Sequence, residues 1–359
     1  MDPSALRAEF PVLAHLAYLN AGTDGPLPAD AVRAADEELR RQARDGRARA
    51  HFERRGELAQ QLRSAYAGLL GCEPHEVALT SCTSEGIAQV VVGMPLSEGD
   101  EILTSDEEHP GLLGPLAAAR ELRGVSVREV PLRRIAAEVS ERTRLVACPH
   151  VGWMSGAFAP AELAQAPVPV LLDGAQGVGA VPVDVHELGC DAYAGAGQKW
   201  LCGPDGTGML YVSVRLRELL GVPRRGYGNL LDANAGLAAR LHEDARRFDS
   251  PALSAEALAC ALAAVRVLER AGWSEVHARA AQLAQRLAEV LPAAGRDVAP
   301  RDHTTLVSFT SPDPEQEPAH LAESGCVVRN IPGRPWLRAS VGAWNNEHDI
   351  DLLLAALFQ

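Results

Sequence analysis

From Glu76 to Val212, short apolar runs alternate with stretches of helical spacing, and this alternation constrains the fold more than any other feature of the chain. "EVALTS" is followed by "SEGIAQVVVG" and "DEILTS" by "HPGLLGPLAAARELRG"; then come "VSVREVPL", "TRLVACPHV", "VPVLLDG", "CDAYAGAG" and "TGMLYV". Short buried strands separated by helices make a mostly parallel sheet with helices packed on it. Before this region, Ala29 to Leu70 has helical spacing and predicts one or two helices, broken near Gly46 or Gly56. After it, Ser254–Gly272 and Glu275–Leu291 predict two helices, the second with Ser274 as its N-cap. "TTLVSFT", "GCVVRN" and "LRASVGA" predict strands, and "HDIDLLLAALF" a final helix. The expected class is α/β. A large domain over 21–250 would carry the mostly parallel sheet between helices, and a smaller α+β domain would occupy 251–359. An N-terminal arm over 1–20 would pack with the small domain.

Lysine usage is the second constraint. Lys199 is the only lysine of the chain, all the other members of its 34 Lys and Arg residues being arginine. A GC-rich coding bias replaces lysine by arginine wherever charge alone matters, so a lysine that survives it marks a need arginine cannot meet. A guanidinium stays protonated, whereas an amine can act as a nucleophile, a Schiff-base former or a general base.

The net charge of −13 argues against nucleic acid, whose phosphates need clustered cations. No apolar run reaches the ~20 residues of a membrane span. The opening residues lack the basic and apolar regions of a signal peptide, so a cytoplasmic protein is expected. Seven scattered cysteines without a CxxC pair read as reduced thiols, neither a disulfide framework nor a metal site.

Ligands of open α/β sheets bind at the carboxyl ends of the strands. Three segments place chemistry there. "VPVLLDGAQ" ends a buried strand on Asp173, with Gln176 just beyond. "CDAYAGAGQK" is the next strand, with Lys199 on the loop after it. "EVALTSCTSEGIAQ" is a strand, a turn and a helix start, with Thr83 and Ser84 placed to cap the helix and form an anion site. Singly, the carboxylate and the hydroxyls are ordinary cap and turn residues. Together with a solitary amine they suit pyridoxal 5′-phosphate (PLP): the amine bonds to the cofactor, the carboxylate pairs with its pyridine nitrogen, and the helix start holds its phosphate.

On these residues the chain resembles the class V aminotransferase group of fold-type I PLP enzymes, which holds cysteine desulfurases, selenocysteine lyases and isopenicillin N epimerase-like proteins. The resemblance rests on "FPVLAHLAYLNAGTDGPLP", "TSCTSEGI", "SDEEHPG", "LRASVGAWNNEHDID" and, most specifically, "LLDGAQGVGAVPVDVHELGCDAYAGAGQKWLCGPDGTGMLYV". It implies that Lys199 carries the cofactor, Asp173 pairs with the ring nitrogen, His109 stacks on the ring and Gln176 lies near its phenolic oxygen. Thr83, Ser84 and Gln198 would hold the phosphate. Arg338 would clamp the substrate α-carboxylate, and Asn20 would face the substrate side. A homodimer is implied as well, with the "FDSPALS" loop reaching the partner's cofactor.

The chain also departs from the pattern. Desulfurases carry a nucleophilic cysteine shortly before the arginine of "RAS", but "VVRNIPGRPWLRAS" is short and has none; Cys326, in the apolar run "GCVV", reads as strand core. "HVGWMSG" puts Trp153 where relatives often have an asparagine, and Ala252 stands where a phosphate-binding threonine would be, leaving Ser250 to substitute. The implied activity is a PLP enzyme working at the α-carbon of an amino acid through a Schiff base. C–S cleavage by elimination is the leading expectation. Transamination, epimerisation, desulfuration and a non-catalytic PLP-binding role are the alternatives.

Overall fold

A computed structural model of the chain describes residues 2–358. In chain order the strands are β1 (Ala17–Tyr18), β2 (Val77–Thr80), β3 (Glu101–Ser105), β4 (Ser126–Val130), β5 (Thr143–Pro149), β6 (Val170–Asp173), β7 (Ala192–Ala196), β8 (Gly208–Val212), β9 (Leu306–Thr310), β10 (Cys326–Val327), β11 (Arg329–Ile331) and β12 (Trp336–Ser340). The helices are α1 (Pro3–Ala8), α2 (Ala29–Asp45), α3 (Arg49–Leu70), α4 (Thr83–Gly93), α5 (Pro110–Arg123), α6 (Val214–Leu219), α7 (Ala255–Ala271), α8 (Trp273–Val290), α9 (Glu317–Glu323) and α10 (Glu347–Leu357).

The alternating region folds into one seven-stranded sheet of order β2-β8-β7-β6-β5-β3-β4. The run β7-β6-β5-β3-β4 is parallel, and β8 is antiparallel to both β7 and β2. Leu79, Leu103, Val146, Leu172, Tyr193 and Met209 face one core, shared with α3 and α7. Ala78, Ile102, Leu145, Leu171, Ala192 and Leu210 face the other, under α4 and α5. Neighbouring residues of a strand thus point into opposite cores, which is why these strands read as continuous apolar runs.

A second sheet of order β11-β12-β9 packs on α8 and α10 around Phe309, Leu337, Leu283 and Leu353. The amino-terminal segment is stitched to this part of the chain. β1 pairs in parallel with β10, and Asn20 bridges to Ser340. α7, which the expected division at residue 250 assigned to the C-terminal unit, packs on α2 and α3, and its Ala255, Leu258 and Leu262 join the first core of the large sheet.

Local details follow from caps. The break between α2 and α3 falls at Gly46, whose φ of 77° ends α2, while Gly56 lies inside α3. Ser254 caps α7 by accepting from Ala257 N. The expectation for Ser274 is corrected: α8 starts two residues earlier than expected, at Trp273, with Gly272 as its N-cap at φ 89°. Glycine is required there because the chain must leave α7 in a backbone region that side-chain-bearing residues rarely enter.

Candidate active site

The parallel strands β6 and β7 lie side by side, so the residues leaving their carboxyl ends converge. Asp173 closes β6. It is buried, and its Oδ1 accepts from Ala175 N at 2.9 Å. Burial pushes its carboxyl above the usual range, and the positive charge of Lys199 opposes the shift. Lys199 lies three residues past β7; its carbonyl accepts from Cys202 N at 3.0 Å, and its amine makes no hydrogen bond among the described residues. Burial lowers its amine to about 8, with Asp173 resisting and Arg338 assisting. An amine that is substantially neutral near pH 8 is a competent nucleophile, as arginine would never be.

Two helix starts form the opposite wall. α4 begins at Thr83, not after it: Cys82 is the N-cap and its side chain makes no cap hydrogen bond, which corrects the expectation that Thr83 and Ser84 cap this helix. The physical reason is Glu85, which reaches back to Ser81 N at 2.6 Å and Ser81 Oγ at 2.5 Å and so secures the turn. Thr83 Oγ1 is left buried and unpaired, and the first-turn amides have no acceptor within the helix. α5 starts at Pro110 next to it. A methyl group added at Gly111 would meet Ser84 Oγ at 2.4 Å, so the two helix starts can approach only because Gly111 has no side chain. Gln198 adds another buried, unpaired acceptor, Oε1, on the loop that carries Lys199. Free donors and hydroxyls at paired helix starts are suited to an anion.

His109 is the N-cap of α5, its Nδ1 accepting from Gly111 N at 3.1 Å. That bond needs the Nδ1 lone pair, so the ring is neutral with its proton on Nε2. Burial and the nearby Lys199, Arg329 and Arg338 lower its pKa to about 4. The ring meets Trp153 edge to face, with centroids 5.1 Å apart. Beside His109, Glu108 is buried with Oε1 bound to Ser105 Oγ at 2.7 Å and Oε2 unpaired; burial first, and Asp173 further on, raise its carboxyl to about 8.

Arg338 sits on β12 with no measurable exposure. Its Nη1 donates to Trp153 O at 2.8 Å, its Nη2 to Thr23 Oγ1 at 3.5 Å, and its Nε is unpaired. Among the described residues no carboxylate pairs with it, and burial, aided by Arg329, lowers its pKa to about 9. A buried guanidinium without an anion is costly to keep and is poised to take one. Gly22 packs against this group: a methyl there would lie 2.9 Å from Arg338 Nη2 and 2.8 Å from Gln176 Oε1.

The expected residues therefore gather in one place, with one reassignment. Gln176 spends its side chain on structure: Nε2 donates to Gly22 O at 2.7 Å and Oε1 accepts from Trp200 Nε1 at 3.0 Å. Asn20 reaches the site indirectly, its Oδ1 accepting from Thr23 Oγ1 at 2.8 Å, the same hydroxyl that touches Arg338. Sequence reasoning missed Arg329, Trp153 as a contact of the arginines, Thr23 and Glu108. Arg329 could have been found by reading "RNIPGRPWLR" as a tight hairpin, which would put both arginines opposite one another. These residues fit PLP. The unpaired Thr83 hydroxyl and the Nε2–H of the Gln198 amide suit its phosphate, Asp173 its protonated nitrogen, the neutral His109 its ring face and Lys199 its aldehyde.

Comparison with known proteins agrees with this geometry. Residues 17–353 match the family described as Aminotransferase class-V. A probable cysteine desulfurase of Halalkalibacterium halodurans is 28% identical over 99% of this chain and 97% of its own. Another, from Methanothermobacter thermautotrophicus, is 32% identical over 65% of this chain, and the match spans 62% of that relative's length. Among solved structures, a complex of a cystine C–S lyase with its product cysteine persulfide superposes with a TM-score of 0.92 at 30% identity, covering 98% of this chain and 99% of the other.

Proposed function

The chain belongs to the class V aminotransferase family of PLP enzymes, and from that premise we propose that it is a C–S lyase acting on a cysteine disulfide such as cystine. The observation that carries this reading is the pair of arginines. Arg329 and Arg338 are cross-strand partners on β11 and β12, and both lie over Trp153. One cationic group suffices for an α-carboxylate. A second, without a bound carboxylate of its own, suits a substrate with a second carboxylate, as a disulfide amino acid has.

PLP supplies the electron sink that makes a Cα proton removable. The residues do the rest. Arg338 takes the α-carboxylate and Arg329 the distal one, orienting the substrate over Lys199. Lys199, whose burial keeps the amine near neutrality, removes the Cα proton. Asp173 holds the positive charge that draws the electrons away. The Cβ–S bond then breaks, its electron pair leaves on sulfur as a persulfide, and a Cα–Cβ double bond forms. The released enamine hydrolyses to pyruvate and ammonia. No oxidant or protein thiol is needed.

The cysteines support elimination over sulfur transfer to the protein. The turn between β11 and β12 has no cysteine, and Cys326 is fully buried on β10, burial raising its thiol to about 11. Incubation of the loaded enzyme with cystine should yield pyruvate, ammonia and persulfide in equal amounts. Alanine formed from free cysteine, without pyruvate, would replace this reading with a desulfurase.

The same reading includes a homodimer in the cytoplasm. Tyr227 and Leu237 are 72% and 110% exposed on one segment, with Phe52 on α3 also exposed. The "FDSPALS" loop beside them is anchored by Asp249, which accepts from Arg63 Nη2 at 2.7 Å and from Leu79 N at 2.8 Å. A firmly held loop flanked by exposed apolar side chains is suited to a subunit contact. Sedimentation of the loaded protein as a monomer that still turns over would count against it.

A further inference from the structure

The turn after Asn20 holds a group for which neither the cofactor cradle nor the two arginines has a use. Thr23 N and Asp24 N both donate to Asn20 O, at 2.9 and 3.3 Å, and Tyr18 Oη donates to Asp24 O at 2.9 Å. Gly25 N donates to Gln198 O at 2.7 Å, and a methyl added at Gly25 would lie 2.0 Å from Lys199 O. The turn is thus pressed against the backbone that carries Lys199, while its Thr23 Oγ1 is within 3.4 Å of Arg329 Nη1 and 3.5 Å of Arg338 Nη2. Asp24 lies between these features. Its carboxylate is within electrostatic range of Lys199, Arg329 and the neighbouring Asp205. It nevertheless forms no ion pair or side-chain hydrogen bond among the described residues, and neither does Asp205. An exposed carboxylate on a turn pinned by backbone hydrogen bonds, near a second exposed carboxylate and unpaired with the nearby Arg329, can receive a cation.

We infer that Asp24 is a specificity residue that takes the distal ammonium of a substrate whose far half is itself an α-amino acid. The inference rests on the reading of Arg329 as the distal carboxylate site and extends it. Arg329 and Asp24 together present a cation and an anion to one zwitterion, with its carboxylate on the first and its ammonium on the second. An ammonium placed there also relieves the repulsion between Asp24 and Asp205. The enzyme would then select a disulfide of two cysteine units over a mixed disulfide with a simple mercapto acid, because only the former brings the second ammonium. Specificity of this kind comes from a charged group left unpaired when the wrong ligand binds.

A non-cleavable pair of ligands tests this without requiring turnover. 2,7-Diaminosuberate has the length and both ends of cystine; 2-aminosuberate lacks only the distal amine. Each is titrated into the PLP-loaded enzyme and its dissociation constant read from the cofactor absorption band. The parent should bind the diamine about fivefold or more tightly, the upper range for an opposite-charge pair at a partly solvated site. In Asp24→Asn the preference should fall to within about twofold, with the affinity for 2-aminosuberate unchanged within about twofold. A parent without preference, a variant that keeps it, or equal weakening of both ligands by Asp24→Asn would each overturn the inference; equal weakening would assign Asp24 to holding the turn. Cystine cleavage is scored separately. Failure to form pyruvate would remove the lyase reading, whereas the binding preference decides the role of Asp24 by itself.

Discussion

Arg329 and Arg338 are Cα partners across the antiparallel β11–β12 hairpin, and their guanidinium carbons lie 5.6 and 5.9 Å from the centroid of the Trp153 ring. Two like charges beside one aromatic ring repel each other; burial lowers the pKa of both, and Arg329 adds to the lowering at Arg338. The ring offsets part of that repulsion through its electron-rich face, and Thr23 Oγ1 reaches both groups. The arrangement is most favourable when anions are present.

Separating the two arginines by substitution should therefore separate two functions. Arg338→Ala removes the proposed α-carboxylate partner and should lower kcat/KM for every amino-acid substrate by about 10²–10³. Arg329→Ala should raise KM for disulfide amino acids by about tenfold, leaving substrates with a single carboxylate within about twofold. Steady-state kinetics on cystine and on an S-alkyl cysteine check both. Equal losses on the two substrates in Arg329→Ala would remove its assignment to the distal end.

The lowered pKa of Lys199 gives cofactor capture a defined pH profile. Only the neutral amine can attack an aldehyde, and burial lowers its pKa to about 8. The rate at which cofactor-free protein takes up PLP should rise about tenfold per pH unit below that value and level off above it. Stopped-flow absorbance at increasing pH measures this directly. Lys199→Ala should show no covalent uptake at any pH and no turnover, and borohydride reduction of the loaded parent should fix the pyridoxyl group on Lys199.

Glu108 should limit stability in alkaline solution. Its ordinary value of 4.5 rises to about 8 in the folded chain because burial disfavours the charged form. A raised folded pKa means that the folded state holds a proton the unfolded state has released. Stability is therefore full below pH 4.5 and falls as pH rises through about 8. Glu108→Gln keeps the shape and the Ser105 contact without the titration. The variant should gain on the order of 2–4 kcal/mol relative to the parent at pH 9 and nothing at pH 4, as followed by denaturant unfolding.

What could be read before folding and what could not divides along physical lines. The large sheet was legible because its strands other than the edge strand β4 are buried along nearly their whole length and so appear as largely apolar runs, as in "VPVLLDG". The placement of Lys199 and Asp173 at or just beyond the ends of neighbouring strands was legible because it depends on local sequence. Arg329 was hidden because its meaning depends on register: the hairpin that sets it opposite Arg338 is a tertiary fact. Gln176 looked like a cofactor contact, yet Gly22 and Trp200, far away in sequence, claim both ends of its amide. Thr83 was read as a cap because hydroxyls before helices usually are, but Glu85 secures the turn and releases Thr83 to the site. Glu108 gave no signal beyond standing next to His109; only burial makes it unusual.

Persulfide formation on the protein needs a thiolate that can reach the substrate. Cys148, Cys190, Cys202, Cys260 and Cys326 are buried, and burial raises each of their thiols above the ordinary value. Cys72 is raised as well, to about 12, by burial and the carboxylates of Glu76 and Glu73. Cys82 caps α4, the helix whose start faces the proposed phosphate site, so a thiol there would lie by the cofactor's phosphate and not by the substrate's sulfur. Elimination depends instead on Lys199 and Asp173. Single Cys→Ala variants, Cys326 included, should keep turnover of cystine within about threefold of the parent, whereas Asp173→Ala should lose about 10²–10³ in kcat, the usual loss when one preorganised charge is removed. Loss of sulfur release in Cys326→Ala, with folding and cofactor absorption intact, would make that thiol the nucleophile. β10 would then have to open during turnover, since Cys326 is held there against Ala17 of β1.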